Sequence, residues 1–181
     1  VLDGVVEGIS GHAARNEGVN AIYKALPVVT LLSQMRLPKV SKTLGDVKIS
    51  VTQINAGTQH NVVPDKCNFV VDVRTTDAYS NEETLDLLRR AVEPLGAILT
   101  PRSTRLKPSG ISENHPVVSR LKMLGKEPFG SSTLSDQALM PWQSLKLGPG
   151  DSARSHTADE FIYLREIREA IYVYIRVLDN L

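Results

Sequence analysis

Ser80-Asn81-Glu82-Glu83-Thr84-Leu85-Asp86-Leu87-Leu88-Arg89-Arg90-Ala91-Val92-Glu93-Pro94-Leu95-Gly96-Ala97-Ile98-Leu99-Thr100 is the stretch on which the fold turns. Ser80 followed by Glu83 is a capping box: the hydroxyl and the carboxylate each take a backbone N–H left over at a helix start. Leu85, Leu88, Val92 and Leu95 then recur at three and four residues, the spacing of one helix face. Gly96 stops the helix, and Ala97–Thr100 reads as a short strand. What precedes this helix–strand pair decides the architecture.

Working back, Phe69, Val71 and Val73 alternate with Asp72 and Arg74 on the opposite face. Val47, Ile49 and Val51 alternate with Lys48, Ser50 and Thr52 in the same way, the period of a half-buried strand. Pro38 and Gly45 bracket a loop. A helical pattern from about Glu17 carries Val19, Ile22, Leu26, Val29 and Leu32, with Asn16 as N-cap. Pro27 lies inside it and is predicted to kink or split the helix. Residues 2–9 alternate loosely and read as a strand ending at Ser10-Gly11. The order is strand, helix, strand, strand, helix, strand, the split βαβ arrangement of a ferredoxin-like domain.

Working forward, Pro101 to Ser112 is polar and reads as a linker. Pro116 suits the first position of a helix bearing Val117, Leu121 and Leu124. Ser135 caps a short helix ending near Pro141, and Ser144–Leu147 reads as a brief strand. Thr157-Ala158-Asp159-Glu160 is a second capping box, launching a last helix with Phe161, Leu164, Ile167, Ile171, Tyr174 and Leu178 on one stripe. The overall class is mixed α/β (α+β), and so small a helix-rich tail is a marginal core on its own.

The chain has 181 residues, 41% of them hydrophobic, and a net charge of +1, which gives no electrostatic case for nucleic acid or membrane binding. The single Cys67 excludes an internal disulfide framework and fits a cytoplasmic, reducing compartment. No apolar run approaches the roughly 18 residues of a spanning helix, and there is no signal-peptide pattern. The opening Val1-Leu2-Asp3-Gly4, without Met, is what a chain cut in mid-domain would show.

Ser155-His156-Thr157 lies between the turn-rich Gly148-Pro149-Gly150 loop and the last helix. That placement suits a metal ligand, since neutral imidazole is the commonest one. A lone histidine before a helix is more often a surface or capping residue, and a catalytic zinc wants about three protein ligands. No HxH, HExxH or CxxC supplies the others, so the stretch reads as part of a metal site whose other half is elsewhere. His12, between Gly11 and Ala13, is either a turn histidine or a group that small neighbours leave open to close approach. Asn61 is a turn asparagine or a substrate ligand. Arg74 is a solvated or salt-bridged strand residue or a carboxylate grip. Ser135 and Asp136 are a helix cap or a pocket loop. Arg154 is a second anion contact or a solvated arginine, and His60 and His115 read as surface.

Five segments together resemble one family, the zinc-dependent aminoacylase and acetylornithine deacetylase group known as M20 peptidases. Gly8-Ile9-Ser10-Gly11-His12-Ala13-Ala14-Arg15 looks like its glycine-histidine motif. Ile54-Asn55-Ala56-Gly57-Thr58 leading to Asn61-Val62-Val63-Pro64-Asp65 resembles its Asn-Val-Val/Ile-Pro motif, and Asp72-Val73-Arg74 its Asp-x-Arg strand. Thr133-Leu134-Ser135-Asp136 is similar to its Gly-x-Ser-Asp loop, with Thr133 where many relatives have Gly. Gly148-Pro149 through His156-Thr157-Ala158-Asp159-Glu160 resembles its C-terminal metal-ligand segment. Each motif is weak alone; five in the family's order are specific. The likeness is greatest to bacterial acetylornithine deacetylases, enzymes of arginine biosynthesis.

The resemblance implies a ferredoxin-like lid and dimerisation domain over residues 7–103. Residues 1–6 and 104–181 would be the C-terminal part of an α/β catalytic domain. The N-terminal part, with a His-x-Asp motif, a bridging Asp and a Glu-Glu pair, has no match here. His156 would be a terminal ligand to one zinc of a pair, cobalt being an alternative metal. His12 would enter the active site of a partner subunit in a homodimer and act on the oxyanion, with Asn61 binding substrate beside it. Arg74 would grip a substrate carboxylate, and Ser135 and Asp136 would line the pocket. The parent would remove an acetyl or succinyl group from an amino acid such as ornithine, and the chain alone would be inactive. The rivals are a non-catalytic ferredoxin-like dimerisation module and a di- or tripeptidase of the same family.

Overall fold

The computed structural model describes residues 1–131 and 133–179; Ser132, Asn180 and Leu181, which fall within the predicted 104–181 segment, lie outside the described residues. The chain divides into two compact units, Val1–Pro108 and Ser109–Leu181.

The first unit is built on strands β1 (Leu2–Glu7), β3 (Lys48–Ala56), β5 (Lys66–Arg74) and β6 (Ala97–Pro101), with helices α1 (Ala21–Gln34) and α2 (Asn81–Val92) between them. The four strands pair antiparallel in the order β3-β5-β1-β6. This is the ferredoxin-like arrangement expected from the sequence. Alternation puts Leu2, Val6, Ile49, Cys67, Phe69, Val71, Ala97 and Leu99 on one buried face. Ala21, Ala25, Val28 and Leu32 of α1 and Leu85, Leu88 and Val92 of α2 join them in one core. Gly4 pairs with Phe69 across the sheet, and a Cβ at Gly4 would fall inside the Phe69 ring. The glycine makes the space that the largest fully buried side chain fills.

Five local expectations change. Leu2–Glu7 pairs with both β5 and β6, so residues 1–6 lie with the ferredoxin-like unit and not with residues 104–181. The unit also runs past 103, because the Asn81 side-chain amide donates to the carbonyls of Thr104 (2.8 Å) and Leu106 (2.6 Å) and holds that segment against the start of α2. Helix α1 begins later than Glu17: Asn20 caps it, its Oδ1 accepting from Ile22 N at 2.9 Å, while Asn16 sits in the left-handed region at φ 53°. Pro27 does not split it. Pro27 and Tyr23, whose carbonyl loses its partner, both lie on the exposed side of the helix. The buried face is also one residue out of phase with the predicted stripe, since alanines rather than Leu26 meet the sheet.

In β3 the alternation changes hand at a bulge between Val51 and Gln53, which carries the strand on to Ala56 and leaves Ile54 half-exposed. The Ser80–Glu83 capping box forms as read: Glu83 N donates to Ser80 Oγ at 3.0 Å and Ser80 N to Glu83 Oε2 at 2.8 Å. These contacts, with Lys39 behind them, hold the Glu83 carboxyl below the ordinary carboxylate range.

In the second unit, α3 (Pro116–Met123) and α4 (Leu164–Leu178) meet through Leu121, Val173 and Val177, with Val117, Leu124, Leu145 and Leu147 packed beside them. Arg120 of α3 donates to the carbonyls of Val177 (2.9 Å) and Asp179 (2.7 Å), capping the end of α4. Ser144–Leu147 is not a strand. Leu145 and Leu147 pack on the core, and Tyr174 donates to Leu147 O at 2.8 Å, but no strand pairs with the segment among the described residues. The short helix at Asp136–Leu139 is a single 3-10 turn without a side-chain cap from Ser135.

The last helix begins at Leu164, seven residues beyond Thr157, and Glu166 rather than Glu160 closes its start, accepting from Tyr163 N at 2.9 Å. Its predicted stripe is the exposed one: Leu164 is 72% exposed, Ile171 54% and Leu178 62%, while Val173 and Val177 are buried. Among the described residues no helix is long and apolar enough to cross a membrane.

Candidate functional site

His12 stands on a two-residue strand, β2 (Gly11–His12), paired antiparallel with β4 (Val62–Val63). The glycines of the Gly8-to-His12 run are there for close backbone approach. A Cβ on Gly8 would strike the carbonyl of Val19, and one on Gly11 the carbonyl of Glu17. Ile9 and Val19 exchange both backbone hydrogen bonds at 2.8 Å between those glycines. The ribbon then brings Asn61 to His12, with Ala13 N donating to Asn61 O at 3.1 Å. His12 Nδ1 accepts from Ala14 N at 3.2 Å. A neutral imidazole that accepts at Nδ1 carries its proton on Nε2, so the free nitrogen is a hydrogen-bond donor. A groove beside the ribbon is lined by Ala13, Tyr23, Ala56, His60 and Val62.

Arg74 lies elsewhere. It ends β5, eight residues beyond Lys66, a rise of about 26 Å along the strand, so it does not join His12 and Asn61 within one chain. Its Nε donates to Asp72 Oδ2 at 2.8 Å, with Arg74 exposed and Asp72 partly covered.

In the second unit, Ser135 Oγ donates to Gln137 Oε1 at 3.2 Å and Asp136 opens the 3-10 turn. His156 is exposed, holds a left-handed backbone at φ 62°, and donates its N–H to Glu160 Oε2 at 3.0 Å. Among the described residues its imidazole makes no hydrogen bond or ion pair. Arg154 is not a solvated arginine: its side chain is mostly covered, and its Nη1 is buried without a hydrogen-bond partner among the described residues. Its Nη2 donates to Glu166 Oε1 at 2.6 Å, and its guanidinium lies 4.9 Å from the Phe161 ring centroid and 5.3 Å from that of Tyr163. The Arg154 hydrogen bond, and after it the Tyr163 N–H, hold the Glu166 carboxyl below its ordinary range. The sequence does not show this cluster, because its members are up to twelve residues apart; only Glu166, three residues past the cap residue Tyr163, carries a local signal. His115, read as surface, caps α3, its Nδ1 accepting from Val117 N at 3.3 Å.

Among the described residues no three His, Cys, Asp or Glu side chains gather where they would hold a metal ion. The donor set is one unengaged imidazole. It fits a terminal ligand whose companions come from outside these residues, and it does not make a site by itself.

Residues 3–98 match the sequence family described as the peptidase dimerisation domain, M20 type. The succinyl-diaminopimelate desuccinylase of Psychromonas ingrahamii is 25% identical over 198 residues, covering 99% of this chain and 50% of that protein. The N-acetylcysteine deacetylase of Bacillus subtilis is 29% identical over 94 residues, 51% of this chain and 24% of that one. The chain thus spans half or less of the length of the curated relatives it matches. The aminopeptidase PepT structure from Bacillus cereus superposes with a TM-score of 0.71 at 17% identity, over 97% of this chain and 50% of its own, a likeness of fold.

Proposed function

Because the chain belongs to the M20 peptidase-dimerisation family, we propose that it is the lid and C-terminal catalytic portion of a metal-dependent amidohydrolase that deacylates an N-acyl amino acid. The observation that carries this is the match over residues 3–98 together with relatives that remove acetyl and succinyl groups by name. The substrate is N-acetylornithine or a similar acetyl or succinyl amino acid. Residues 109–181 belong to the catalytic domain, whose remainder lies in sequence corresponding to the uncovered half of the relatives. The exposed apolar stripe of α4 supports that reading, since an amphipathic helix leaves such a face only where something else covers it.

His156 is one ligand of a zinc pair, with cobalt as an alternative metal. The chemistry such a pair supplies when bound is carbonyl polarisation and an acidified water. This chain's own residues do the rest. His12 donates Nε2–H to the oxygen that gains negative charge as the amide is attacked. One such donor is worth a factor of about 10²–10³ in kcat in other hydrolases. Asn61 orients the substrate beside it. Arg74, far along β5 from His12, grips a substrate carboxylate at a site the two do not form within one chain, and Ser135 and Asp136 line the pocket. Two lids associate in a homodimer, and each lends His12 and Asn61 to the other subunit's site.

The test is complementation in the complete enzyme. His12→Ala lowers kcat about 10²–10³-fold and leaves metal content intact, whereas His156→Ala loses metal and activity together. Mixed dimers of the two variants contain one site lacking both groups and one site with both, so part of the activity returns. Heterodimers that form and stay inactive rule out the shared site. Inactivity on acetyl- and succinyl-amino acids, with turnover of di- or tripeptides, replaces deacylation by peptidase activity.

A further inference from the structure

His156 holds a backbone conformation that a non-glycine residue keeps only when its surroundings impose it. The loop around it shows what imposes it. Arg154 closes the loop at both ends. Its carbonyl accepts from Thr157 Oγ1 at 2.8 Å, and its N–H donates to Asp151 O at 3.1 Å, fixing the turn before His156. Its side chain reaches past His156 to the start of α4, where it bonds Glu166 at 2.6 Å and lies against Phe161 and Tyr163. The ion pair is mostly covered, with side chains 18% and 21% exposed, so solvent competes weakly for it. The other oxygen of Glu166 accepts from Tyr163 N, and Glu160 takes the N–H of His156 itself. His156 is therefore the exposed apex of a loop whose base is pinned by one guanidinium.

We propose that Arg154 is a positioning residue: its clamp on Glu166, Phe161 and Tyr163 holds His156 in the left-handed conformation that presents the imidazole outward. The proposal rests on the reading of His156 as a metal ligand only for its consequence, not for the clamp. Lysine is a poor replacement, because it keeps the charge but not the plane that lies along two rings.

The test reads the backbone of His156 in the 181-residue chain, through its HN–Hα coupling and Cα chemical shift, in the native protein, Arg154→Met, Arg154→Lys and Phe161→Leu. Native His156 reports positive φ. Arg154→Met moves it to the extended range, Arg154→Lys moves it part of the way, and Phe161→Leu, which keeps the ion pair, moves it least. The methyl signals of Val173 and Val177 show that the second unit is still folded, and Phe161→Leu serves if Arg154→Met is not. An unchanged His156 in folded Arg154→Met, or in Phe161→Leu where that variant alone folds, overturns the clamp. In the complete enzyme, Arg154→Met weakens zinc affinity, measured by chelator competition, by about 10–100-fold, the usual effect of losing a ligand's supporting residue. If His156→Ala leaves that affinity unchanged, the ligand reading falls, and the clamp stands or falls on the His156 coupling alone.

Discussion

The two units of this chain spend their apolar residues differently. In residues 1–108 the sheet presents one face to two helices, and Val6, Phe69, Val71, Leu88 and Val92 are almost wholly removed from water. Among the described residues of 109–179 the buried cluster is Leu121, Val173 and Val177, while Leu164, Ile171, Ile175 and Leu178 remain in solvent. Both have amphipathic helices with strong capping, so local helix signals do not separate them. The difference is whether the second layer lies within the same stretch of chain. The first unit contains its own partner surface, and the second has a helix face looking for one.

That contrast can be broken most directly in the core. Phe69→Ala should cost the first unit about 3–5 kcal/mol, read by urea unfolding with hydrogen exchange to assign it to β1 and β5. Val177→Ala should cost about 2 kcal/mol, from two lost methyl groups and the cavity left behind, and should lower protection in α3 and α4 alone. Equal loss in the strands would mean that the two units unfold as one, and the comparison would fail. Ser80→Ala removes an N-cap and half a capping box, for about 1 kcal/mol confined to the first unit.

The smallest effect is one of pH. Glu166 is held below its ordinary value of 4.5, first by the Arg154 hydrogen bond and then by Tyr163 N–H. A lowered folded value means that its contribution is fully present above pH 4.5 and is lost as pH falls through that lower value. Protection of the start of α4 should therefore weaken in that acid window in the native chain and show no such step in Glu166→Gln. An unchanged acid step would remove Glu166 from the loop's support.

The first unit was legible in the sequence because its signals are local and agree with one another. The Ser80–Glu83 box, the alternation around Phe69 and the stop at Gly96 each point to the element found. The misses lie where distant backbone decides. Asn16 and Asn20 are equally good caps by type, and the backbone pairing of Ile9 with Val19 delays the helix to the second. Leu26 looked buried because it is large, but small alanines let α1 sit close to the sheet. On α4 the apolar stripe from Leu164 to Leu178 is legible from its spacing, but spacing alone does not say that Leu164, Ile171 and Leu178 stay exposed while Val173 and Val177 are buried. Of the candidate site, the pairing of His12 with Asn61 follows from motifs at two ends of one ribbon. The Arg154 cluster does not, because contacts twelve residues apart leave no periodic trace.

The place of β1 in the sheet sets a timetable. This strand comes first in the sequence but lies in the middle of the sheet, between β5 and β6, with Leu2 opposite both Val71 and Pro101. No sheet with both neighbours of β1 in place exists until nearly a hundred further residues have left the ribosome. Closure then waits on pairings of high sequence separation, the kind that slow folding most. Until then α1 has only part of the surface it will cover, and the newborn chain shows Ala25, Val28 and Leu32 to whatever binds unfinished proteins.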